Sequence, residues 1–336
     1  MSADTGAGSG TGAGTDTRAG TPSAGSTSSS INPESVRAVA KKDFRDSIRS
    51  WVFWGLSIFF FTLLVSVTGA ISYFGDEIAQ AGATTEALVL FVSQITRLVI
   101  PLIAIVLGWK SIAGERESGS IKILLSLPHS RKDVLLGKLL GRSAVLSISL
   151  TIGFALAAVV VAVVLGSFDV VDYVSLLAMA IIYGLAYTSI TVSLSSMTRS
   201  TTLAGAAMAG VFLLFYLVWN ALQSAFQLLM SRGLISGVSY TREVTLLDGS
   251  TEQRTAERLP DWALFVDMID PGNAFQNAIT VLSSAGGSNL GTAYPEYYFP
   301  DGLPFYLENW FSFVILLLWI VVPIAIALYR FDRVDL

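Results

Sequence analysis

The chain has 336 residues, of which 53% are hydrophobic and 14% are charged, and its formal net charge is −4. Water-soluble domains carry about a quarter charged residues, so this composition excludes an ordinary soluble domain and indicates an integral membrane protein. The chain contains no cysteine, which excludes disulfides, thiolate metal sites and a cysteine nucleophile.

The first 31 residues consist almost entirely of Gly, Ser, Thr and Ala. Such a segment cannot bury enough apolar surface to fold, so we expect a flexible tail over residues 1–31. No apolar core follows a basic start, so we expect no cleaved signal peptide. Residues 32–336 form the predicted membrane domain.

A basic amphipathic helix is predicted over residues 33–50. Asn32 is a favourable N-cap, and proline at position 33 suits the first helical turn. Val36, Val39 and Phe44 fall on one face, and the basic residues lie away from it: Arg37, Lys41, Lys42, Arg45 and Arg49. A helix of this kind before a membrane span is expected to lie in the inner interface as an elbow. A simple positively charged anchor explains the same residues.

Six segments have the length of about 20 apolar residues that a transmembrane helix needs to cross a ~30 Å hydrocarbon core: 51–74, 88–109, 143–166, 172–195, 203–227 and 310–329. Lys and Arg are absent from the loops after the first and third segments and frequent before the first and between the second and third. The positive-inside rule therefore places both termini in the cytoplasm. The predicted fold is an all-α integral protein of the cell membrane with six transmembrane helices.

Arg97 lies about ten residues from the outer end of span two, which is ~15 Å deep along a straight helix. A charge at that depth is costly and is a candidate functional site, and no intramembrane Asp or Glu is available to pair with it. The alternative is that Arg97 snorkels outward or pairs with an acid from the outer loop. Arg97, Asn220 and Gln223 are candidates for polar points along a translocation path through spans two and five.

The outer loop from 231 to 309 is the largest segment between two spans. An Asp-Gly pair at 248–249 lies between two alternating segments and predicts a β-hairpin. A short helix is predicted over 262–269, and the Asp-Pro pair at 270–271 predicts the start of a second one. These two helices are expected either to dip into the outer leaflet or to form an extracellular cap.

The cytoplasmic segment 111–142 is helix-prone but too polar to lie in lipid. A short helix is predicted over 118–127, and Ser130 with Asp133 three residues later predicts the start of a second helix that runs into span three. A push on the first helix would move this rod as a rigid body. A docking site for a cytoplasmic partner and an interfacial hairpin without a partner are both compatible with these residues.

The same segment resembles a known family. The residues that carry the resemblance are Glu115-Arg116-Glu117-x-Gly119, then Leu124-Leu125-x-Leu127-Pro128-x-x-Arg131, then Gly137-Lys138. This run is similar to the coupling region of type-2 ABC transporter permeases, most closely the NosY-like subfamily in its haloarchaeal versions. Such permeases have an elbow helix, six spans, both termini inside and short external helices between spans five and six. The resemblance covers about residues 33–336.

The resemblance implies the permease subunit of an exporter, paired with a second permease subunit, identical or different, and with cytoplasmic ATPase subunits. The ATPase would dock on helix 118–127, which Glu115, Arg116 and Glu117 precede, with Glu115 and Glu117 in contact with the ATPase. Pro128 and Arg131 would turn the corner after the helix. Its buried face would consist of Gly119, Ile121, Leu124 and Leu125.

No nucleotide-binding loop is present, because the Gly-Lys pair at 137–138 is followed by Leu139 and lacks the upstream glycine. We therefore expect no enzymatic activity in this chain, ATP hydrolysis in a partner subunit, and no cofactor, metal or nucleic acid. An ion-coupled secondary transporter would need acids or histidines in its spans, and an intramembrane enzyme would need a catalytic motif. A subunit that transmits force or supports assembly without transport would share the coupling helix. A largely apolar cavity with the polar residues Arg97, Asn220 and Gln223 would suit an amphipathic or anionic cargo. The sequence does not identify that cargo.

Overall fold

The structure, a computed structural model, describes residues 31–74, 84–120, 130–165, 169–245, 251–283, 298–299 and 302–331. Within these ranges the chain is predominantly helical, and six helices are long and apolar enough to cross a membrane. The prediction of an all-α integral membrane fold with six spans is confirmed.

The helices are α1 (Pro33–Ile48), α2 (Trp51–Tyr73), α3 (Thr84–Gly108), α4 (Ala113–Glu117), α5 (Arg131–Leu165), α6 (Val170–Met197), α7 (Thr201–Leu213), α8 (Trp219–Ser231), α9 (Asp261–Ile269), α10 (Pro271–Leu282) and α11 (Asn309–Phe331). Spans one to four are α2, α3, α5 and α6, and span six is α11. Span five consists of α7 and α8 joined by five residues of π-helix, Leu214–Val218, which the sequence does not predict. We call the end of the bundle that carries α1 and α4 the basic end.

Short polar residues define where the helices begin. Ser50, Asp169 and Ser200 each accept a hydrogen bond from a backbone N–H in the first turn of α2, α6 and α7 respectively. These N-caps satisfy donors that a helix leaves without intrahelical partners. The cap at Ser50 therefore starts span one as a helix separate from α1. Helix α1 lies within residues 33–50, for which the sequence predicts an elbow helix.

The main core lies between spans one to four, α10 and span six. Phe60, Leu64, Phe154, Tyr183 and Phe275 are each at most 1% exposed. Phe275 belongs to α10 and stacks on Tyr183 with the ring centroids 4.6 Å apart. The second outer helix therefore packs into the bundle instead of covering it.

Span four is the most enclosed helix and span five the least. In the most apolar part of each, 56% of span four is buried inside the protein and only 17% of span five. Span five is thus a peripheral helix of the single chain, and most of its apolar surface is left to lipid or to another protein.

The outer loop contains the predicted hairpin. Strands β1 (Val238–Thr245) and β2 (Thr251–Arg258) pair antiparallel, with Tyr240 opposite Ala256; residues 246–250, which hold the predicted turn, lie outside the described residues. The predicted second helix begins as expected, because Asp270 accepts a hydrogen bond from the Asn273 backbone N–H at 2.8 Å.

The predicted coupling helix lies largely outside the described residues, which end at residue 120 and resume at 130. Its predicted start at Ser118 is wrong. Ser118 is the C-cap of α4, and Gly119 follows with φ of +73°. A left-handed residue at this place ends a helix and favours glycine, so Gly119 separates α4 from the next segment and does not contribute to a buried helical face.

Candidate functional site

The short helix α4 is held against the end of span four. The backbone N–H groups of Ile112 and Ala113 both donate to Ser195 Oγ, at 3.1 and 3.0 Å. Ser195 in turn donates to the Trp109 carbonyl at the end of span two. Because Ser195 is fully buried, this hydroxyl fixes the turn through which the chain leaves span two.

Three consecutive charged residues of α4 contact three different elements. Glu115 Oε1 lies 2.8 Å from Lys138 Nζ in the first turns of α5. Arg116 Nη1 donates to the carbonyls of residues 196 and 198 at the end of span four, at 3.0 and 2.9 Å. Glu117 Oε2 accepts from the Thr201 N–H at the start of span five, at 2.9 Å. The contacts of Arg116 and Glu117 suit their places, because cations stabilise helix C-termini and carboxylates stabilise N-termini.

The contact of Glu115 continues into α1. Lys138 Nζ is 3.8 Å from Asp43 Oδ1, and Arg142 Nε is 3.1 Å from Asp43 Oδ2. The side chains of Lys138 and Asp43 are only 7% and 9% exposed. Burial raises the pKa of the Asp43 carboxyl, and the charges of Arg142 and Lys138 oppose that rise. This cluster of Asp43, Glu115, Lys138 and Arg142, hereafter the four-charge cluster, joins α1, α4 and α5.

Two glycines let α1 and α5 approach closely enough for that cluster to form. A Cβ atom on Gly137 would lie 2.6 Å from Val39 Cβ, and one on Gly141 would lie 2.8 Å from Asp43 Oδ2. Real Cβ atoms do not approach other atoms so closely, so larger residues would push the two helices apart. The spacing of four residues places both glycines on one face of α5, as in close helix pairs of membrane proteins.

The start of α5 is a second attachment point for α1. Asp133 Oδ2 accepts from the Ser130 N–H and the Asp133 N–H donates to Ser130 Oγ, at 3.0 and 3.1 Å, which confirms the predicted capping arrangement. Asp133 Oδ1 also accepts from the Asn32 N–H at 2.9 Å. The residue before α1 is thereby tied to the first turn of the helix that leads into span three.

The predicted coupling residues therefore divide into two groups. Glu115, Arg116 and Glu117 are described and bind other parts of this chain, and Arg131 is the first residue of α5. The remaining predicted contact residues lie outside the described residues: Ile121, Leu124, Leu125 and Pro128. The sequence indicates no site role for Asp43 or Arg142, and it includes Lys138 only as part of the Gly-Lys pair of the motif.

Arg97 pairs with an acid from the outer loop, as one of the two sequence-based alternatives predicts. Its Nη2 lies 2.9 Å from Asp270 Oδ2, and its Nη1 donates to Gln276 Oε1 at 3.1 Å. Asp270 is 1% exposed, and the Tyr183 hydroxyl donates to the Arg97 carbonyl at 2.9 Å. A Cβ atom on Gly272 would collide with the Arg97 side chain. These contacts attach the start of α10 to spans two and four.

The cavity beside this ion pair is small. It measures about 10 Å³ and is lined by Arg97, Pro101, Tyr183, Tyr187, Phe212, Phe215, Tyr216, Asp270 and Gly272. A volume of that size holds about one water molecule. Asn220 and Gln223 are not among its lining residues, and the Asn220 side chain donates to the Tyr216 carbonyl of its own helix. Of the three predicted path residues, this cavity is therefore lined by Arg97.

Among the residues that the structure describes, no group of three or more His, Cys, Asp or Glu side chains could hold a metal ion.

Comparison with known proteins gives consistent results. Residues 37–336 match the family described as ABC-2 family transporter protein. The chain is 32% identical over 212 residues to the probable ABC transporter permease protein NosY of Pseudomonas aeruginosa, an alignment that covers 60% of this chain and 74% of that protein. It is 27% identical over 201 residues to the protein of the same description from Stutzerimonas stutzeri, covering 58% and 71% respectively.

Proposed function

Because the chain belongs to the ABC-2 transporter family and is the membrane subunit of an ABC transporter, we propose that it is an export permease whose unidentified cargo is moved by a separate cytoplasmic ATPase. ATP would be bound and hydrolysed only in that partner, since the chain lacks a nucleotide-binding loop. Both termini and α4 would then lie on the cytoplasmic side, as the distribution of Lys and Arg indicates.

The contacts of Glu115, Arg116 and Glu117 are the observation that carries this proposal. Each of the three side chains binds a different element, at the start of span three, the end of span four and the start of span five. A displacement of the segment that follows α4 would therefore act on three spans together. Packed helices move as rigid bodies between discrete arrangements, so a push from an ATPase on residues 118–127 would be passed on to the bundle.

In this mechanism Glu115 and Glu117 are positioning residues. Their carboxylates are engaged with Lys138 and with the Thr201 N–H. Contact with the ATPase would fall to the segment that follows Gly119, including Ile121, Leu124 and Leu125. ATP binding would close the two ATPase subunits, and the movement would rock the spans outward.

A second permease subunit would cover span five. Its most apolar part is only 17% buried in the single chain, and a Cβ atom on Gly210 would meet no atom within 4 Å. Small residues on a transmembrane helix permit close approach of another helix. Asn220 is exposed on the same span, so a path for an amphipathic or anionic cargo would lie between two subunits, which can be identical or different.

A subunit that transmits force without transporting a cargo is the second candidate. The observation in its favour is the cavity beside Arg97, which holds about one water molecule in the single chain. The two functions differ in one measurable respect, because only a permease supports ATP-dependent accumulation of a solute in inside-out membrane vesicles.

Site-specific crosslinking tests the proposed docking site. The chain has no cysteine, so Ser120→Cys introduces a single attachment point for a maleimide photocrosslinker at the start of the segment that follows Gly119. The ABC ATPase encoded beside the gene is co-expressed, and we expect it to be labelled from position 120. Thr251→Cys on the outer hairpin is the matched control and should give no ATPase product.

Three outcomes contradict the proposal: no ATPase that co-purifies, equal labelling from both positions, or labelling from position 251 alone. If crosslinking succeeds but inside-out vesicles supplied with ATP accumulate no solute, the force-transmitting function replaces the permease function.

A further inference from the structure

The exposed face of α1 carries a row of cations. Arg37, Lys41, Arg45 and Arg49 follow one another at intervals of four residues, and Lys42 lies beside them. Residues four apart lie on one face of a helix, about 6 Å apart along its axis. All five side chains are exposed.

The rotation of α1 is fixed by its other face. Val36 and Val39 are buried, and the two glycines of α5 bring that helix into contact with the backbone and side chains of α1. Asp43 is drawn inward by Arg142 at 3.1 Å. With the apolar and acidic positions held against α5, the basic row must point away from the bundle.

These five cations differ from Lys138 and Arg142 in forming no ion pair with the residues that the structure describes. Arg116, Lys138 and Arg142 are each bound by carbonyls or carboxylates of this chain. None of the five on α1 forms an ion pair with a described residue, and Glu34 and Asp46 are the only exposed acids on the helix. Like charges four residues apart destabilise a helix by a few tenths of a kcal/mol per pair, so the row gains stability from anions supplied by something else.

The surroundings of the row identify the source of those anions. Span one begins two residues after Arg49, and its first two tryptophans are exposed, Trp51 at 82% and Trp54 at 55%. Exposed tryptophans at the end of a span are typical of the headgroup level of a bilayer. Trp109 and Lys110, at the same end of span two, form a cation–π contact at 4.6 Å. The row therefore adjoins the exposed aromatic side chains Trp51 and Trp54.

We propose that the exposed face of α1 binds the anionic phospholipid headgroups of the leaflet in which span one begins, in preference to zwitterionic headgroups. Each Lys or Arg near an anionic surface contributes about a fivefold gain in binding, which corresponds to about 1 kcal/mol. Long basic side chains also keep their aliphatic stems on apolar surface while the charge reaches the headgroups. This binding does not depend on the transport function.

Tryptophan quenching by brominated lipid tests the proposal on the full chain. The protein is reconstituted in phosphatidylcholine vesicles that contain increasing fractions of dibrominated phosphatidylglycerol or of dibrominated phosphatidylcholine. The signal of Trp51 and Trp54 is isolated by subtracting the quenching of the Trp51→Phe/Trp54→Phe variant. We expect phosphatidylglycerol to quench at a several-fold lower fraction than phosphatidylcholine at low ionic strength. The preference should vanish in 1 M salt, where the Debye length falls to about 3 Å.

Matched variants assign the preference to the row. Lys41→Gln/Lys42→Gln should weaken the apparent affinity for phosphatidylglycerol by about 25-fold, because each charge contributes about fivefold, and Lys41→Arg/Lys42→Arg should preserve it. Arg199→Gln/Arg330→Gln removes the same number of charges from exposed positions outside α1 and should leave the preference intact.

Equal quenching by the two brominated lipids overturns the proposal. So does an equal loss in the Arg199→Gln/Arg330→Gln control, because a general charge effect would then explain the preference. If the Lys41→Gln/Lys42→Gln variant keeps the lipid preference and loses the co-purifying ATPase, the row belongs to that protein partner and the lipid assignment is wrong.

Discussion

Removing the ion pair between Glu115 and Lys138 should disconnect α4 from span three. The two charges are 2.8 Å apart, and the Lys138 side chain is 7% exposed. We consider the variants Glu115→Gln, Lys138→Met and the double variant. These substitutions keep the approximate shape of the side chains and introduce no new charge, so the double-mutant cycle isolates the interaction between the two residues.

The expected magnitude follows from the geometry. At an effective dielectric constant of about 20, two unit charges 2.8 Å apart attract by roughly 6 kcal/mol, and desolvation of both groups offsets most of that gain. Glu115 remains 29% exposed and Lys138 keeps Asp43 as a partner at 3.8 Å. We therefore expect a coupling energy of about 1–3 kcal/mol, below the 3–5 kcal/mol typical of breaking a fully buried pair.

Two measurements on the purified complex with its ATPase check this prediction. Thermal unfolding in detergent should show that each single variant is less stable than the parent. The double variant should lose less stability than the sum of the losses in the two single variants. ATP hydrolysis should continue in all three variants while solute accumulation in vesicles falls, because the ATPase would still dock but would no longer move span three. Glu34→Gln, which removes an exposed carboxylate at the same end, is the control and should change neither quantity.

Additive losses in the cycle would refute the role of the pair. A second result would refute the positioning role of Glu115 in particular. If Glu115→Gln abolishes ATPase binding and Lys138→Met leaves it intact, Glu115 contacts the ATPase directly, as the family resemblance alone implies.

The remaining predictions concern packing and buried charge. Gly137→Ala should destabilise the protein by about 1–3 kcal/mol, because the added methyl group collides with α1, whereas Gly69→Ala, whose Cβ atom would meet no atom within 4 Å, should cause no loss in thermal unfolding. Arg97→Leu should cost about 3–5 kcal/mol by leaving Asp270 buried without its partner, and Arg97→Leu/Asp270→Asn should recover part of that loss in the same assay. Burial and the charge of Asp270 raise the pKa of Asp267 to about 6. The charged form of Asp267 is therefore less favourable in the folded state than in the unfolded state. This lowers the free energy of unfolding fully above pH ~6 and not at all below pH ~4. Asp267→Asn should accordingly raise the unfolding temperature at pH 7.5 and not at pH 4.

The sequence predicts those parts of the fold that depend on neighbouring residues. Apolar runs of membrane length give the six spans, and the Asp-Gly pair at 248–249 gives the strand pairing. Asp270 and Ser130 mark helix starts, because the side chain that caps a helix lies within three residues of the N–H it binds. These signals are local, and each of them is confirmed where the structure describes the residues.

Partners across the fold are not visible in the sequence. Asp270 follows Arg97 by 173 residues, and Arg116 binds carbonyls at least 80 residues away. The spans alone offer Arg97 no acid, and only the packing of α10 into the bundle supplies one. The left-handed backbone of Gly119 is hidden from the sequence for a related reason, because a motif shows that a residue is a glycine but not which backbone conformation it adopts.

The location of the ion pairs explains how a signal can cross a largely apolar bundle. Apolar helices surrounded by lipid gain little from hiding apolar surface from one another, so van der Waals packing and polar contacts decide their arrangement. In the described chain the ion pairs that join different helices lie in the four-charge cluster at the basic end and between Arg97 and Asp270 at the start of α10. Both involve elements outside the spans, namely α1, α4 and α10. A shift of α4 therefore reaches the spans through their ends. The close packing of α1 on α5 at Gly137 and Gly141 determines whether these two helices move with α4 as one unit.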